Sequence, residues 1–524
     1  WRNNLEFRQA FKEKHFLSIY VGHEVSEYKS NSNYVRYPEY DPEKGLMGVP
    51  DIDGVEDVKK KILNLLDGLS ESRNRSVSFF VSGSYSFLDR YVVAGSIRMD
   101  GADIIGTANR FSPLWNASFK YNVYEEGFMK KISWLDELAF RLSYGYTGSI
   151  DKNALPFGVM TFMSTDEYFG YDIPTYIQPK NPSVKWQKKE DRSVGVDFAL
   201  LNRRIRGTVN YYNNVTRNLL DTKNLPISVG VSSIKYNSSS VRNYGWEFSM
   251  NSQVLRTREL FWKVDFNVGM NKSKVIKTYY KDISEVPKGY DKTTPVEGAS
   301  TNAWFGYRFA GIDPRTGHTL AFVDNSERDK PVGYQREDGR WVLDMDDVVN
   351  KDRESIKENL GNSYPTVNGG FRTNLAWKNF TFDANFTFML GHKITAAYYA
   401  TSAGGMVSSA SQNVLRKETT RWRKPGDITD IPVYSAGGEF SSLYSEWYDL
   451  KLESGDFLKC TSISLGYRVP SKICQKFSLT SLRVNFNVRD VFTISGYSGL
   501  DPENFGGFSY PNSKKYMISL NIGI

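Results

Sequence analysis

Cysteine and histidine are scarce in this 524-residue chain, which contains two cysteines and four histidines. Cys460 and Cys474 are too few for a disulfide framework, and they lack the CxxC spacing of a zinc or thioredoxin-like site. The histidines are scattered and form no HExxH pair, so the sequence carries no zinc-protease signature. Because Cys460 lies in a predicted strand and Cys474 in a predicted turn, we expect two separate thiols.

Long hydrophobic runs are also missing. No apolar run approaches the roughly 18 residues that a transmembrane helix needs. The chain begins at Trp1 without Met or a signal peptide, so we expect the natural protein to continue upstream. The net charge of +8, from 67 basic and 59 acidic residues, is spread along the chain. This distribution indicates a solvated surface and argues against nucleic acid as a partner.

What the sequence has in abundance is alternation with a period of two. Aromatic residues make up 15% of the chain, which excludes a disordered polymer. Apolar and polar side chains alternate in many segments, as in 77–87, 262–271, 380–388 and 482–489. Successive side chains of a strand point to opposite faces, so each segment has one apolar and one polar face. The alternation therefore predicts an all-β protein.

The apolar faces of these strands must be covered, either by lipid or by a second layer of protein. Many runs are about nine to eleven residues long, which suits a tilted strand crossing a bilayer, whereas soluble strands average about five or six residues. Aromatic residues recur at strand ends, where an interfacial girdle would lie: Trp246, Trp262, Trp377 and Tyr516. These features favour a transmembrane antiparallel β-barrel over a soluble sandwich.

The pattern predicts about 17 strands. The predicted strands are 2–10, 15–30, 73–87, 91–98, 110–122, 138–148, 190–201, 204–214, 240–253, 260–275, 303–311, 318–323, 366–377, 379–390, 457–469, 482–494 and 515–524. Short connections alternate with long ones, which is typical of periplasmic turns and extracellular loops. The long loops are predicted near 31–72, 149–189, 324–365 and 391–456. An odd count predicts at least one further strand before Trp1, because closed bacterial barrels have even numbers.

Two features of the predicted loops have a local interpretation. Apolar residues at helical spacing predict a short amphipathic helix over 55–69. The acidic residues Asp344, Asp346 and Asp347 raise the possibility of calcium, which prefers several oxygen ligands. They lack the glycine and the distal Glu of an EF-hand, so a solvated loop is the preferred interpretation, and no cofactor is predicted.

Several segments of distinctive sequence follow one another along the chain. They are Tyr91–Phe111 (YVVAGSIRMDGADIIGTANRF), Glu137–Gly148 (ELAFRLSYGYTG), Asn181–Phe198 with Asn-Pro and Trp186, Asn243–Glu247 (NYGWE), Gly361–Phe371, Arg421-Trp422 with Asp430–Pro432, and Phe457–Glu503 with SGYSG and DPE. These segments resemble SusC/RagA-type TonB-dependent transporters. Their order and spacing agree with that family over essentially the whole chain, and the C-terminal group is the strongest match.

The resemblance implies that the chain is the C-terminal part of a β-barrel with about 22 strands and a plugged lumen. The whole of 1–524 would then be one partial TonB-dependent receptor-like barrel domain. The N-terminal plug, the TonB box and about five strands would lie outside this chain. The final strand ends at Ile524, where the sorting signal of outer-membrane proteins usually ends in an aromatic residue.

The resemblance also implies a function. It is the import of large nutrients, glycans or oligopeptides, across the outer membrane of a Bacteroidetes-type bacterium. The implied partners are a SusD-like surface lipoprotein, TonB through the missing N-terminal region, and the surrounding outer-membrane lipid and lipopolysaccharide. A structural scaffold without transport is the main alternative, and a passive porin-like channel is a weaker one. No catalytic constellation stands out, so an enzyme is not expected.

Flat aromatic faces in the outer loops are the candidate substrate contacts, since rings stack on sugars and grip peptide side chains. The alternative is that the same rings pack loop against loop or belong to the membrane girdle. The candidates are Tyr168, Phe169, Tyr171, Tyr176, Trp304, Trp341, Trp422, Trp447 and Tyr448.

Overall fold

The fold is described from a computed structural model of the chain. The described residues are 1–33, 40–41, 46–47, 69–105, 109–151, 156–165, 172–178, 180–226, 228, 233–286, 295–326, 328–346, 353, 355–396, 416–433, 448–503 and 510–524.

One large antiparallel sheet dominates these residues, and its fifteen strands pair in sequence order. The strands are β1 (Arg2–Phe11), β2 (His15–Asn33), β3 (Leu69–Phe87), β4 (Tyr91–Ala102), β5 (Phe111–Asn122), β6 (Leu135–Ser149), β7 (Gln187–Leu200), β8 (Ile205–Asn224), β9 (Ser233–Arg256), β10 (Leu260–Lys277), β11 (Val367–Trp377), β12 (Phe380–Leu390), β13 (Phe457–Arg468), β14 (Ser481–Ser495) and β15 (Lys515–Gly523). β1 and β15 form the two edges of the sheet.

The predicted all-β fold is confirmed, but the predicted number of wall strands is not. The sequence patterns at 303–311 and 318–323 are strands outside the large sheet, so fifteen of the predicted segments belong to it. The first of them is divided into Ala303–Gly306 and Phe309–Ile312, which pair with different partners. Alternation alone does not separate a wall strand from a small strand that covers a loop core, because both have one apolar face.

The two faces of the sheet differ in chemistry. One face is a continuous apolar surface, on which Val21, Val81, Ile97 and Trp115 succeed one another across β2 to β5. Its side chains are exposed, as Ile97 is 61% and Leu520 59% accessible. An apolar face of this extent, which none of the described residues covers, suits lipid as its surroundings.

The opposite face carries charged and amide side chains, and many of them pair across strands. Arg141 on β6 forms an ion pair of 2.8 Å with Asp197 on β7. Arg372 on β11 pairs with Asp383 on β12 at 2.6 Å. Such pairs satisfy polar groups that face a wet interior, which is the arrangement expected on the inner side of a barrel wall.

The connections alternate between the two ends of the sheet, and the five longest of them lie at the same end. The short ones at one end are 12–14, 88–90, 123–134, 201–204, 257–259, 378–379 and 469–480. The connections at the other end are 34–68, 103–110, 150–186, 225–232, 278–366, 391–456 and 496–514. The predicted loop 324–365 is the second half of a longer connection that begins after Lys277. The gap 312–317 between the predicted strands 303–311 and 318–323 lies within this connection, so it belongs to the long-loop end.

Small strands and short helices occur in the connections. The strands are Tyr40–Asp41, Leu46–Met47, Val159–Thr165, Asp172–Gln178, Ala303–Gly306, Phe309–Ile312, Thr319–Val323, Tyr334–Gln335, Trp341–Asp344, Glu358–Asn362, Lys393–Thr395 and Leu452–Ser454. The 3-10 helices are Val123–Glu125, Met129–Lys131, Ile283–Glu285, Arg416–Thr420 and Asp449–Lys451, and the α-helix is Ser471–Lys476. Within the described residues, no helix has the length and apolarity needed to cross a membrane.

Two local predictions have different outcomes. Both cysteines are free, as predicted, and both are buried. Cys460 lies in β13, as expected, whereas Cys474 lies in the helix Ser471–Lys476 and not in a turn. The predicted amphipathic helix over 55–69 lies almost entirely outside the described residues; only Leu69, the first residue of β3, is described.

The turn between β7 and β8 generates a stability prediction. Leu201, Asn202 and Arg203 all have positive φ angles, and Arg203 is exposed at φ 59°. A side chain with a Cβ atom costs about 1–2 kcal/mol in this conformation, and glycine avoids that cost. We expect Arg203→Gly to stabilise the sheet by about 1 kcal/mol relative to Arg203→Ala, which removes the same charge but keeps Cβ. Urea unfolding in detergent micelles measures the difference, and equal midpoints for the two variants would contradict the strain argument.

Candidate functional site

The connections at the long-loop end pack on one another and build an ordered rim. We define the rim as residues 303–346, 355–362, 391–396, 416–433, 448–456 and 496–503. A buried apolar cluster lies at its centre and joins three of these segments: Tyr307, Ala321, Val323, Leu343, Met345, Ile356 and Tyr448. Such a cluster gives loops the same source of stability that a small domain has.

Tyr448 is the central ring of this cluster, at 1% accessibility. Its ring centroid lies 5.5 Å from that of Tyr307 and 5.9 Å from that of Phe309. Trp341 is half-buried and packs against the same cluster. The structure therefore brings two of the predicted contact residues together, and both of them hold loops to one another.

Trp304 and Trp422 each fasten one loop to another through the indole N–H. Trp304 Nε1 donates to the carbonyl of Lys393 at 2.9 Å. Trp422 Nε1 donates to the carbonyl of Pro314 at 3.0 Å. Both rings are half-buried, so part of each remains accessible from the rim.

The Trp422 ring packs against Gly317, in the turn 313–317, where the absence of a side chain leaves room for it. Gly317 has φ +78°, and a Cβ atom added there would lie 2.6 Å from the Trp422 ring and 2.9 Å from Val433 Cβ. The backbone of Val433 also donates to the Gly317 carbonyl at 3.0 Å. The turn at 313–317 is thus shaped to receive the segment that carries Trp422.

The remaining predicted contact residues cannot be placed in the rim. Tyr176 lies in the strand Asp172–Gln178, whose backbone alone is described. The others lie outside the described residues: Tyr168, Phe169, Tyr171 and Trp447. Substrate binding by the nine aromatic residues stays a prediction.

A buried lysine ties the C-terminal loop to the wall. Lys459 on β13 is 5% accessible and forms an ion pair with Glu503. Its Nζ also lies 3.6 Å from Asp490 and 3.9 Å from Asp501. Tyr497 continues the attachment, because its hydroxyl donates to the carbonyl of Thr395 at 3.1 Å. A buried cation needs such partners, so the contacts fix the loop's position.

The Asn-Pro…Trp segment has a similar fastening role at the same end of the sheet. Asn181 Nδ2 donates to the carbonyl of Lys235 at 2.8 Å. Trp186 is buried with Ile105 and Val184, and its Nε1 donates to the carbonyl of Arg110 at 3.2 Å. The connections 103–110 and 150–186 and the strand β9 meet at these contacts.

Three residues of the rim could hold a metal ion, since ligand atoms of His318, Asp344 and Asp346 lie within 4.8 Å of one another. His318 Nδ1 and Asp344 Oδ2 are 2.9 Å apart, and Asp346 Oδ2 accepts from the Thr319 N–H at 3.0 Å. A nitrogen ligand suits a transition metal better than the calcium considered from the sequence. Asp347 lies outside the described residues.

Two ionisable groups of the rim are perturbed by their surroundings. Burial would raise the pKa of Asp313, but hydrogen bonds from Arg315 lower it below its ordinary value. Burial lowers the pKa of His392, against a smaller opposing effect of Asp456. The Asp313 shift comes from hydrogen bonding and the His392 shift from burial, and they favour a charged Asp313 and a neutral His392.

Below the rim, the polar face of the wall forms a broad concave surface. A cavity of about 1230 Å³ lies against β6 to β12. Its polar lining includes Arg141, Asp197, Glu247, Asp265 and Arg372. Mixed charges and amides of this kind can bind the hydroxyls of sugars or the amides and termini of peptides.

Sequence reasoning did not identify the acceptors of the buried Lys459 or the proximity of His318 to Asp344. Both arrangements join residues that are far apart in the chain. Arg141 and Asp197 lie in two of the predicted strands, but only the register of β6 with β7, which places Arg141 opposite Gly195, brings the two side chains together.

Comparison with known proteins agrees with this architecture. A family model described as "TonB dependent receptor-like, beta-barrel" matches residues 1–386. The chain is 26% identical over 475 residues to the TonB-dependent receptor SusC of Bacteroides thetaiotaomicron, covering 86% of this chain and 44% of SusC. It is 25% identical to the TonB-dependent receptor P3 of Formosa agariphila, covering 86% of this chain and 43% of that receptor.

The structure resembles that of the RagAB peptide transporter, with a TM-score of 0.79 and 22% identity over 99% of this chain and 55% of that one. The chain spans about half the length of these relatives. The chain belongs to the TonB-dependent receptor-like β-barrel family, as an outer-membrane barrel of the SusC/RagA type.

Proposed function

We propose that this chain forms the wall and the outer mouth of a TonB-dependent importer of large nutrients. The observation that supports this proposal most is the combination of a polar, concave inner face with an ordered rim above it. A polar inner face offers a path for hydrophilic solutes, and an ordered rim offers a surface that can select them or carry a lid. Energy would reach the barrel through TonB, acting on a part of the protein outside this chain.

Oligopeptides and glycans are the proposed substrate classes. One structural relative is described as a peptide transporter, and the cavity lining has both signs of charge for peptide termini and side chains. Glycans are kept as the second class because amide and carboxylate side chains also bind sugar hydroxyls. A SusD-like surface lipoprotein is the proposed lid, seated on the rim.

The proposed contact residues divide by their burial. The half-buried rings of Trp304, Trp341 and Trp422 have accessible surface for stacking on a substrate. Tyr448 is buried, so its proposed role is to hold the rim in shape. Tyr168, Phe169, Tyr171, Tyr176 and Trp447 remain proposed contacts on sequence grounds alone.

A scaffold without transport is the second candidate function. The packing of aromatic rings between loops favours it, because a rigid rim is also what a docking platform for lipoproteins requires. Transport and scaffolding differ in whether solute crosses the membrane, so uptake separates them.

Deletion of the gene in its own bacterium is expected to abolish uptake of the substrate class. The probes are a fluorescein-labelled mixture of oligopeptides and a labelled oligosaccharide ladder, measured as cell-associated fluorescence after washing. A plasmid copy of the full gene should restore uptake of one of them, and a protonophore should then abolish it because import depends on the proton gradient. Uptake of a monosaccharide serves as the control for general permeability and should not change.

Unchanged uptake of both probes in the deletion strain would contradict import. If the deletion instead released surface lipoproteins into the medium while uptake persisted, the scaffold function would be supported.

The fit of Trp422 over Gly317 predicts that the rim is sensitive to one methyl group. Gly317→Ala should cost about 2 kcal/mol locally, because it combines an unfavourable φ with a clash against a ring. We expect faster tryptic cleavage after Arg421 and Arg423 and reduced uptake. Gly339→Ala is the matched control, since Gly339 has φ +80° but its nearest contact would be 3.9 Å away. Equal cleavage rates in the two variants would show that the ring contact does not hold this segment.

A further inference from the structure

The outward face of the wall carries a group of basic side chains just above its apolar band. We define the basic patch as Lys188, Arg192, Arg217, Arg242, Lys272 and Lys274. These residues come from β7, β8, β9 and β10. Side chains at even spacing along a strand share one face. Each patch residue is an even number of positions from an outward-facing apolar or aromatic residue of its own strand, which is Val194, Tyr211, Trp246 or Met270.

The strand register places the patch in adjacent rows across the sheet. Lys188 pairs directly with Arg217. Arg242 pairs directly with Lys274, and Lys272 pairs with Tyr244. Directly opposite side chains have Cβ atoms about 5 Å apart, so the six cations cover a compact area of the wall.

Two of these pairings are unfavourable without a further partner. Lys188 opposite Arg217, and Arg242 opposite Lys274, are like charges in direct cross-strand positions, which destabilises a sheet. Among the described residues of these rows, Glu190 is the one outward carboxylate. Its oxygens are shared by Arg192, by Tyr144 at 3.0 Å and by Arg217 at 3.6 Å. One shared carboxylate leaves the patch strongly positive, and an external anion would remove the repulsion.

The row of side chains beneath the patch marks the depth at which that anion would lie. Tyr211 and Trp246 are outward neighbours with ring centroids 4.9 Å apart. At the level of the patch itself, Trp115 makes similar contacts with Tyr144 and Tyr146 at 5.5 and 5.6 Å, and these two tyrosines pair with Arg192 and Glu190. Aromatic side chains on the outer face of a barrel lie at the level of the lipid headgroups. The long connections lie at this end of the strands, which makes it the extracellular end.

We propose that the basic patch is a binding site for a phosphate-bearing glycolipid of the outer leaflet, with the chemistry of lipid A. The phosphates lie between the paired cations, the sugar ring stands on the aromatic row, and the acyl chains follow the apolar band at Val194 and Met270. Lys272 and Lys274 are exposed and available to such a headgroup. Arg192 and Arg217, which lie beside Glu190, also contact the headgroup in this proposal. The inference does not depend on transport, because a scaffold barrel would carry the same patch.

The test uses the full-length protein in detergent micelles and fluorescently labelled bisphosphorylated lipid A as the probe. Lys272→Gln with Lys274→Gln should weaken binding about thirtyfold, since each basic residue near an anionic lipid surface contributes roughly 1 kcal/mol. The matched control is Arg256→Gln with Arg258→Gln, which also removes two positive charges. Arg256 ends β9 and Arg258 lies in the short turn to β10, so both are at the opposite end of these strands from the patch. Binding by the control should equal that of the unchanged protein. Lys272→Arg with Lys274→Arg should retain binding.

Three further measurements decide the chemistry of the occupant. Dephosphorylated lipid A should bind the unchanged protein as weakly as the double glutamine variant binds the intact lipid. Millimolar inorganic phosphate should not displace the probe, because it lacks the sugar and the acyl chains. Heat-modifiable migration in SDS gels checks that each variant keeps its folded sheet.

Equal loss of binding in the control variant would overturn the proposal, as would equal binding of the dephosphorylated lipid. Displacement by inorganic phosphate would assign the patch to a free anion and would also overturn it.

Discussion

A strand that crosses lipid must pair every backbone N–H and C=O group with another strand, and the whole structure follows from this requirement. In the large sheet the thirteen inner strands meet it by pairing on both sides with their neighbours along the chain, and the edge strands β1 and β15 pair on one side. The same geometry then separates side chains strictly by parity. Apolar residues occupy the face toward lipid, and charged pairs such as Arg141 with Asp197 occupy the other.

The rim is attached to the wall but is stabilised differently: strand pairing holds the wall, and buried side chains hold the rim. Outside the bilayer, loops gain stability from burial, and they do so here around Tyr307 and Tyr448. Lys459 and Trp186 connect this packed layer to the strands below it. Alternation therefore determines which face of the wall meets lipid and which meets water. Individual side-chain contacts determine the shape of the mouth. The basic patch lies where the two meet, at the height at which lipid ends and water begins.

The wall was predictable from the sequence because its rule is local. Strand limits such as 91–98 and 379–390 agree with the structure to within a few residues, since parity can be read from neighbours in the chain. The error lay at 303–323, where alternation reflects a small loop sheet. The rim was not predictable, because its contacts join distant residues: Trp422 with Pro314, or Lys459 with Glu503. The aromatic candidates were recognised as rings in loops, but whether each ring faces a substrate or another loop depends on packing.

The most direct test of this account is the accessibility of nitroxide labels along β4 in reconstituted lipid vesicles. Single cysteines would replace residues 93 to 100 in a background in which Cys460 and Cys474 are alanine. The account predicts maximal oxygen accessibility at Val93, Ile97 and Met99, and maximal accessibility to a water-soluble nickel complex at Ser96 and Arg98. Loss of this period of two, or high nickel accessibility at both sets of positions, would contradict a wall with lipid on one face and water on the other.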